Sequence, residues 1–215
     1  MENLLNLIFP PKCLFCSSTG AIFCEVCLGK CVVLNQIETL KNQGFNFELK
    51  LLSIFSYEGL VRLCIKKSKY QAKQFAALKV LASRGVTYLK PYSSFFGNFY
   101  VMAVPPSENN LSKRGFNQAD VIVHVLAKNL PIRTFSKNPL HRLKATVSQH
   151  SKSRVERFNT LKDAFWADAS LVAGKNILLV DDICTSGATF FECAKALKRA
   201  GVKSIGCFAL SRRLL

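Results

Sequence analysis

The chain has 215 residues and a formal charge of +17, with 30 Lys and Arg against 13 Asp and Glu. An apolar content of 49% marks a globular chain, long enough for one α/β domain and one small module. No apolar run is long enough to span a bilayer. So large a positive excess attracts polyanions, through counterion release where the partner is nucleic acid, or else it is a solvated surface.

Residues 1–10 contain Leu4, Leu5, Leu7, Ile8 and Phe9, but also Glu2 and no basic stretch ahead of them. That is a poor secretion signal, so the segment is expected to dock on the body of a cytoplasmic protein. Two CxxC knuckles follow closely, Cys13 with Cys16 and Cys24 with Cys27, and Cys31 lies just beyond. Four thiolates at this spacing can surround Zn²⁺ tetrahedrally, and metal would stabilise a module too small to fold on its own core. Disulfides are the rival reading, disfavoured in a cytoplasmic chain. Cys31 is either a spare thiol or a replacement for one of the four. Cys64, Cys184, Cys193 and Cys207 stand alone in apolar surroundings and are expected to pack as small hydrophobes. Of these, Cys184 is the one expected to feel oxidation.

Residues 50–57 alternate loosely as a strand, and Gly59 breaks it. Residues 60–84 read as one helix or two, with Arg62, Lys66, Lys69 and Lys73 spaced along one helical stripe. The stripe is a solvated face or a phosphate-contacting one, with equal weight. The next strand is 98–104, closed by Pro105–Pro106, which stop the ladder and stiffen the loop, with a cis bond as one option. Lys113 and Arg114 then precede a helix over 117–129, a second plausible anion site. His124 falls inside that helix as a packing residue. Residues 141–157 are polar and basic (Arg142, Lys144, Lys152, Arg154, Arg157). They suit a mobile loop that folds over an anion or reaches a nucleic-acid backbone.

The densest signal comes last. Residues 177–180 form an apolar run that reads as a strand buried on both faces, ending in Asp181 and Asp182. A small hydroxyl-rich turn leads into a helix over 189–199, stopped at Gly201. Turn amides and a helix N-terminus suit a phosphate. Thr185, Ser186 and Thr189 add donors, and Gly187 allows close approach. Asp181 and Asp182 would repel that phosphate, so they are expected to face ribose hydroxyls or hydrated Mg²⁺. Val180–Asp181–Asp182–x–x–Thr185–x–Gly187–x–Thr189 resembles the phosphoribosyl-pyrophosphate (PRPP) signature of type I phosphoribosyltransferases. Cys184 stands where an aliphatic residue is commoner.

Several segments together resemble the ComF family of late-competence proteins. They are residues 9–16 (Phe9–Pro10–Pro11–Lys12–Cys13–Leu14–Phe15–Cys16), Tyr57–Glu58–Gly59 with Lys69–Tyr70, Val104–Pro105–Pro106 with residues 114–118, and the motif at 180–189. Thr146, Gln149, Arg157 and Ala164–Phe165 fit the family's intervening loop, with the expected Asn displaced to Asn159. The resemblance implies an α/β fold: a zinc finger at 1–40, then a type I phosphoribosyltransferase-like domain at 41–215 with a mainly parallel twisted sheet flanked by helices.

It also implies natural transformation, in which incoming single-stranded DNA is handled on the cytoplasmic side of the inner membrane. Peripheral membrane contact and other competence or DNA-processing proteins are expected partners. The expected PRPP set is Asp181, Asp182, Cys184, Thr185, Ser186, Gly187, Ala188 and Thr189, with Pro105 and Arg114. The expected DNA path is Arg62, Lys66, Lys69, Lys73, Arg142, Lys144, Lys152 and Arg154, with bases on Phe15 or Phe23 unless those rings are core. Two functions remain. One is a DNA handler that keeps a PRPP pocket. The other is a working phosphoribosyltransferase in which Asp181 and Asp182 are catalytic and act on a nucleobase or related acceptor. Charge beyond what one pyrophosphate needs, and no distinct segment for a nucleobase-recognising hood, favour the first.

Overall fold

Consecutive apolar positions at 177–180 demand cover on both faces of a strand, and the fold supplies it. The computed structural model describes residues 10–68, 72–108, 111–112, 115–143 and 163–214, the side chains of 72–74, 92, 94 and 95 excepted. Its strands are β1 (Val33–Leu40), β2 (Leu49–Ser56), β3 (Tyr100–Ala103), β4 (Arg133–Thr134), β5 (Leu140–Arg142), β6 (Phe165–Ala167), β7 (Asn176–Cys184) and β8 (Ser204–Arg212). Its helices include α1 (Glu25–Leu28), α2 (Gly59–Ser68), α3 (Ala72–Leu89), α4 (Ser93–Phe96), α5 (Gln118–Asn129), α6 (Ala169–Val172) and α7 (Ala188–Arg199).

The main sheet runs β1–β2–β8–β7–β3–β4. Only β1 is antiparallel to its neighbour, so the sheet is mainly parallel, as expected. Side chains along β7 alternate between two cores. Leu178 and Val180 join Ile54, Ile65, Leu81 and Ile122, beneath α2, α3 and α5. Ile177 and Leu179 join Leu51, Phe165, Phe190 and Leu197, beneath α7 and the antiparallel β5–β6 ribbon. Each such side chain contributes about 1.5–3 kcal/mol by leaving water, which fixes β7 at the centre.

Several expectations change. The strand expected at 177–180 continues through both aspartates, because Asp181, Ile183 and Cys184 pair with Ala209, Ser211 and Arg212 of β8. The basic helical stretch is divided into α2 and α3. Gln118, buried at the start of α5, donates to the Ile65 carbonyl and to Ser68 Oγ, both at 3.1 Å. It thereby satisfies groups that the end of α2 leaves open. Asn117 caps α5, accepting from the Ala119 amide at 3.3 Å and donating to the Val104 carbonyl at 3.1 Å. His124 is exposed on α5 rather than packed. No cis peptide bond occurs among the described residues, so Pro105 and Pro106 stiffen their loop in the trans form. Of the basic loop at 141–157, His141 and Arg142 are strand, paired with Trp166 and Phe165.

The cysteine module does not stand apart. Cys13, Phe23, Cys27, Leu28 and Cys31 share one buried cluster with Cys64, Ile65 and Leu81, and Arg84 of α3 ion-pairs with Glu25 of α1. Val33–Leu40, the last residues of the span expected as the zinc finger, form the edge strand of the main sheet.

Candidate functional site

Asp181 and Asp182 are half-buried near the end of β7. Asp181 Oδ1 accepts from the Asp182 amide at 2.8 Å, and Ser211 Oγ donates to the Asp182 carbonyl at 3.0 Å. The first bond ties the Asp181 carboxylate to the backbone, and the second ties the strand to β8. Thr185 and Ser186 follow, then Gly187 with φ 77°, ψ 0°, the residue that begins α7. A Cβ at Gly187 would stand 3.0 Å from Leu40 Cδ1. Both the backbone and the space therefore require glycine there. Ala188 amide lies 3.4 Å from Ser186 Oγ.

The loop is held from behind. Arg212 Nη1 donates to the carbonyls of Cys184, at 3.3 Å, and Thr185, and the Arg213 amide donates to Cys184 O at 3.0 Å. Glu38 of β1 fixes that guanidinium through Nε–Oε1 at 2.6 Å and Nη2–Oε2 at 3.2 Å. With its carbonyls engaged by Arg212, the loop can spend its amides on an anion. α7 has no acidic residue in its first turn and Lys198 and Arg199 in its last. The positive end of its dipole thus faces the loop uncancelled, worth about 0.3–1 kcal/mol to a nearby anion.

Three further residues enter the neighbourhood. Val104 amide donates to the Val180 carbonyl at 2.8 Å, which sets Pro105 beside Asp181. The Tyr57 hydroxyl is pushed up from 10.0 by burial and by the Asp182 carboxylate, with Arg62 and Arg213 opposing. Arg142 lies over the Phe165 ring at 5.4 Å with Nε buried. Burial lowers its pKa, and Cys193 and Asp181 oppose that. Arg142 therefore lies on the inward face of the ribbon, over Phe165.

So the structure gathers Asp181, Asp182, Thr185, Ser186, Gly187, Ala188, Thr189 and Pro105 at one end of the sheet. Arg114 lies outside the described residues. Of the expected DNA path, Arg62 and Lys66 are exposed on α2 and Arg142 is on β5. Lys73 is on α3 with its side chain outside the described set, as are Lys69, Lys144, Lys152 and Arg154. Residues 1–9, Tyr70, Lys113, Thr146, Gln149, Arg157 and Asn159 are also outside it. Cys184 is buried and its thiol is pushed up to about 12, chiefly by burial. It is protected from oxidation rather than exposed to it, because the thiolate is the reactive form. Phe23 is core and Phe15 packs on it at 4.4 Å. Glu38 and Arg212 escape a reading by motif because their roles depend on sheet order; Tyr57 lies in a family segment, but nothing in that segment places it at the pocket.

In the cysteine module, the Sγ atoms of Cys13, Cys16, Cys24 and Cys27 all lie within 4.8 Å of one another. The Cys16–Cys24 separation is 3.6 Å. A tetrahedron with Zn–S bonds of about 2.3 Å has edges of about 3.8 Å, whereas a disulfide brings sulfurs to about 2.05 Å. The donor set fits a metal ion. Cys31 stands apart, its Sγ donating to the Cys27 carbonyl at 3.8 Å with its thiol pushed up to about 11 by burial. It is the spare thiol.

Residues 112–214 match the phosphoribosyl transferase domain family. Competence protein ComFC of Streptococcus pneumoniae is 30% identical over 160 residues, 74% of this chain and 67% of that protein. The chain belongs to the ComF family. DNA utilization protein YhgH of Escherichia coli O157:H7 is 28% identical over 173 residues, 77% of the chain and 73% of that protein. Competence protein F of Haemophilus influenzae is 35% identical over 118 residues, but there the match spans 52% of the chain and 49% of that protein. Among solved structures, a glutamine PRPP amidotransferase from B. subtilis aligns over 68% of the chain and 30% of its own length, with TM-score 0.40 and 14% identity. This ComF-family chain thus joins a phosphoribosyltransferase-type fold to a cysteine cluster able to hold a metal. No helix among the described residues is long and apolar enough to cross a membrane.

Proposed function

We propose that this protein handles single-stranded DNA during natural transformation and carries a PRPP- and Mg²⁺-binding pocket whose occupancy bears on that task. The relatives named for competence and DNA utilization support the first half. One observation carries the union of the two halves. The basic face of α2 begins beside the pocket: Tyr57, two residues before the helix, donates its amide at 2.8 Å to the carbonyl of Arg212, whose guanidinium holds the loop. Among the described residues, Arg62, Lys66 and Lys67 are exposed and have no salt bridge. Positive charge on α2 is therefore available to a phosphate backbone running away from the pocket.

Within the pocket, the loop at 185–189 would hold the 5′-phosphate through its amides and hydroxyls. Asp181 and Asp182 would take ribose hydroxyls and hydrated Mg²⁺, which prefers carboxylate oxygen and keeps part of its water shell. The loop at Pro105 would stabilise the pyrophosphate. The cysteine tetrad would hold Zn²⁺, bracing α2 and α3 through the shared core. The protein would work in the cytoplasm, with other competence proteins and the inner membrane surface as neighbours.

Turnover is the second reading. It is favoured by the match of residues 112–214, which include the aspartate pair, to the phosphoribosyl transferase domain family. It makes PRPP-dependent pyrophosphate release the measurement that separates enzyme from sensor.

Calorimetric titration with PRPP and Mg²⁺ tests the pocket. The wild type should bind, and Asp181→Asn with Asp182→Asn should abolish binding while the melting curve stays cooperative. Unchanged PRPP affinity in that double variant would sink the site.

A further inference from the structure

The β5–β6 ribbon carries a surface that the pocket does not use. Alternation along β5 sends Leu140 and Arg142 inward and leaves His141 and Leu143 exposed. On β6, Phe165 and Ala167 are buried and Trp166 between them is 52% exposed. His141 and Trp166 are direct cross-strand partners, and their rings stack at 5.4 Å with an interplanar angle of 25°. Leu143, 51% exposed, extends the same outward face. An indole left half in water is a costly way to build a strand, since tryptophan is on average highly buried. The imidazole on one face holds the ring in place, which lowers the ordering cost of placing something on the other.

We propose that Trp166, backed by His141, is a stacking platform for a base of single-stranded DNA. The proposal rests on the DNA-handling reading above and assigns that reading an aromatic site. Four observations favour a base as the occupant. The platform is a flat aromatic surface, and every base offers a π-face to it. The chain carries +17 of charge to hold the backbone of such a ligand. The carboxylates that bracket β6 are already engaged, so neither is left to repel a phosphate. Asp163 pairs with Lys195 at 3.0 Å and Arg199 at 2.7 Å, and Asp168 accepts from Ser170 N at 3.0 Å and Ser170 Oγ at 2.6 Å. Finally, Arg142, between His141 and Leu143, packs over the Phe165 ring at 5.4 Å, so the ribbon that bears the platform also carries a cation.

The chain's one tryptophan is its own reporter. Oligo(dT) is titrated into the full-length protein at low salt, with intrinsic emission and the anisotropy of a labelled oligo(dT) read in parallel. Tryptophan emission should be quenched with the same midpoint as the anisotropy change. Trp166→Ala should weaken binding about tenfold, with Trp166→Phe closer to wild type. Neutralising Arg62 and Lys66 should flatten the salt dependence yet leave the quench at saturation. Normal anisotropy with unchanged emission, or with full affinity in Trp166→Ala, would overturn the platform while leaving DNA handling intact. That result would assign the exposed indole to a protein or lipid surface instead. No anisotropy change in the wild type would remove the DNA reading and the platform with it.

Discussion

Arg212 on β8 grips the Glu38 carboxylate of β1 and, with the same guanidinium, the carbonyls of Cys184 and Thr185. β1 and β8 are not neighbours in the sheet; β2 lies between them. The pair therefore reaches across a strand to hold the candidate phosphate loop to the sheet's antiparallel edge. At 11% and 28% side-chain exposure the two charges are largely out of water, so removing one partner leaves the other uncompensated, at a cost of about 3 kcal/mol.

Arg212→Lys should show this most cleanly. An ammonium keeps the charge but cannot span a carboxylate and two carbonyls together. The variant is expected to melt lower and to bind PRPP about tenfold more weakly, or about 1.4 kcal/mol. Glu38→Gln should move both quantities the same way. A lowered melting temperature with unchanged PRPP affinity would make the pair purely structural.

Gly187→Ala tests the loop itself. The substitution forces a side chain into left-handed backbone at about 1–2 kcal/mol and into Leu40 at 3.0 Å. PRPP binding is expected to fall. Adding Leu40→Ala should recover only the part due to crowding, because φ 77° is unaffected. Calorimetry on the single and double variants separates the two contributions.

Cys13→Ser addresses the metal. The four sulfurs lie within 4.8 Å of one another, and Cys13 belongs to the same core as Cys64, Ile65 and Leu81. Loss of zinc should thus lower the melting temperature of the whole chain in one transition, not release a separate small module. Zinc content by atomic absorption together with calorimetry checks this. Full zinc in the variant would refute the ligand assignment.

Asp163 gives a pH signature. Hydrogen bonds from Lys195 and Arg199 hold its pKa below the ordinary 3.8. A depressed folded-state pKa gives stability that is present above the unfolded value and lost as pH falls through the folded one. Wild type should therefore exceed Asp163→Asn in stability at neutral pH, by a small margin because the carboxylate is exposed. The difference should shrink as pH falls below 3.8 and vanish once the depressed folded-state value is passed. Melting curves across that range read it directly.

Much of this was legible in the sequence, and the exceptions share a cause. The buried strand at 177–180, the aspartate pair, the glycine turn and the two CxxC knuckles are local patterns, and local patterns survive folding. The strand's extension through Asp181 and Asp182 was hidden because aspartate is a poor strand former, and only pairing with β8 keeps it extended. Glu38 and Arg212 reach the site through sheet order, which periodicity does not reveal. Arg142 read as one more charge in a basic loop. Its register opposite Phe165 turns it inward, and the same register puts Trp166 and His141 outside.

The proposed DNA-binding face and the PRPP pocket should respond to each other within one protein. The direct test is anisotropy of labelled oligo(dT) across a salt series, with and without PRPP and Mg²⁺. We predict binding whose log–log salt slope is about −2 or steeper, since three phosphates neutralised by Arg62, Lys66 and Lys67 alone give that value. PRPP with Mg²⁺ should shift the midpoint. Absence of binding at low salt, or binding indifferent to saturating PRPP, would contradict the claim.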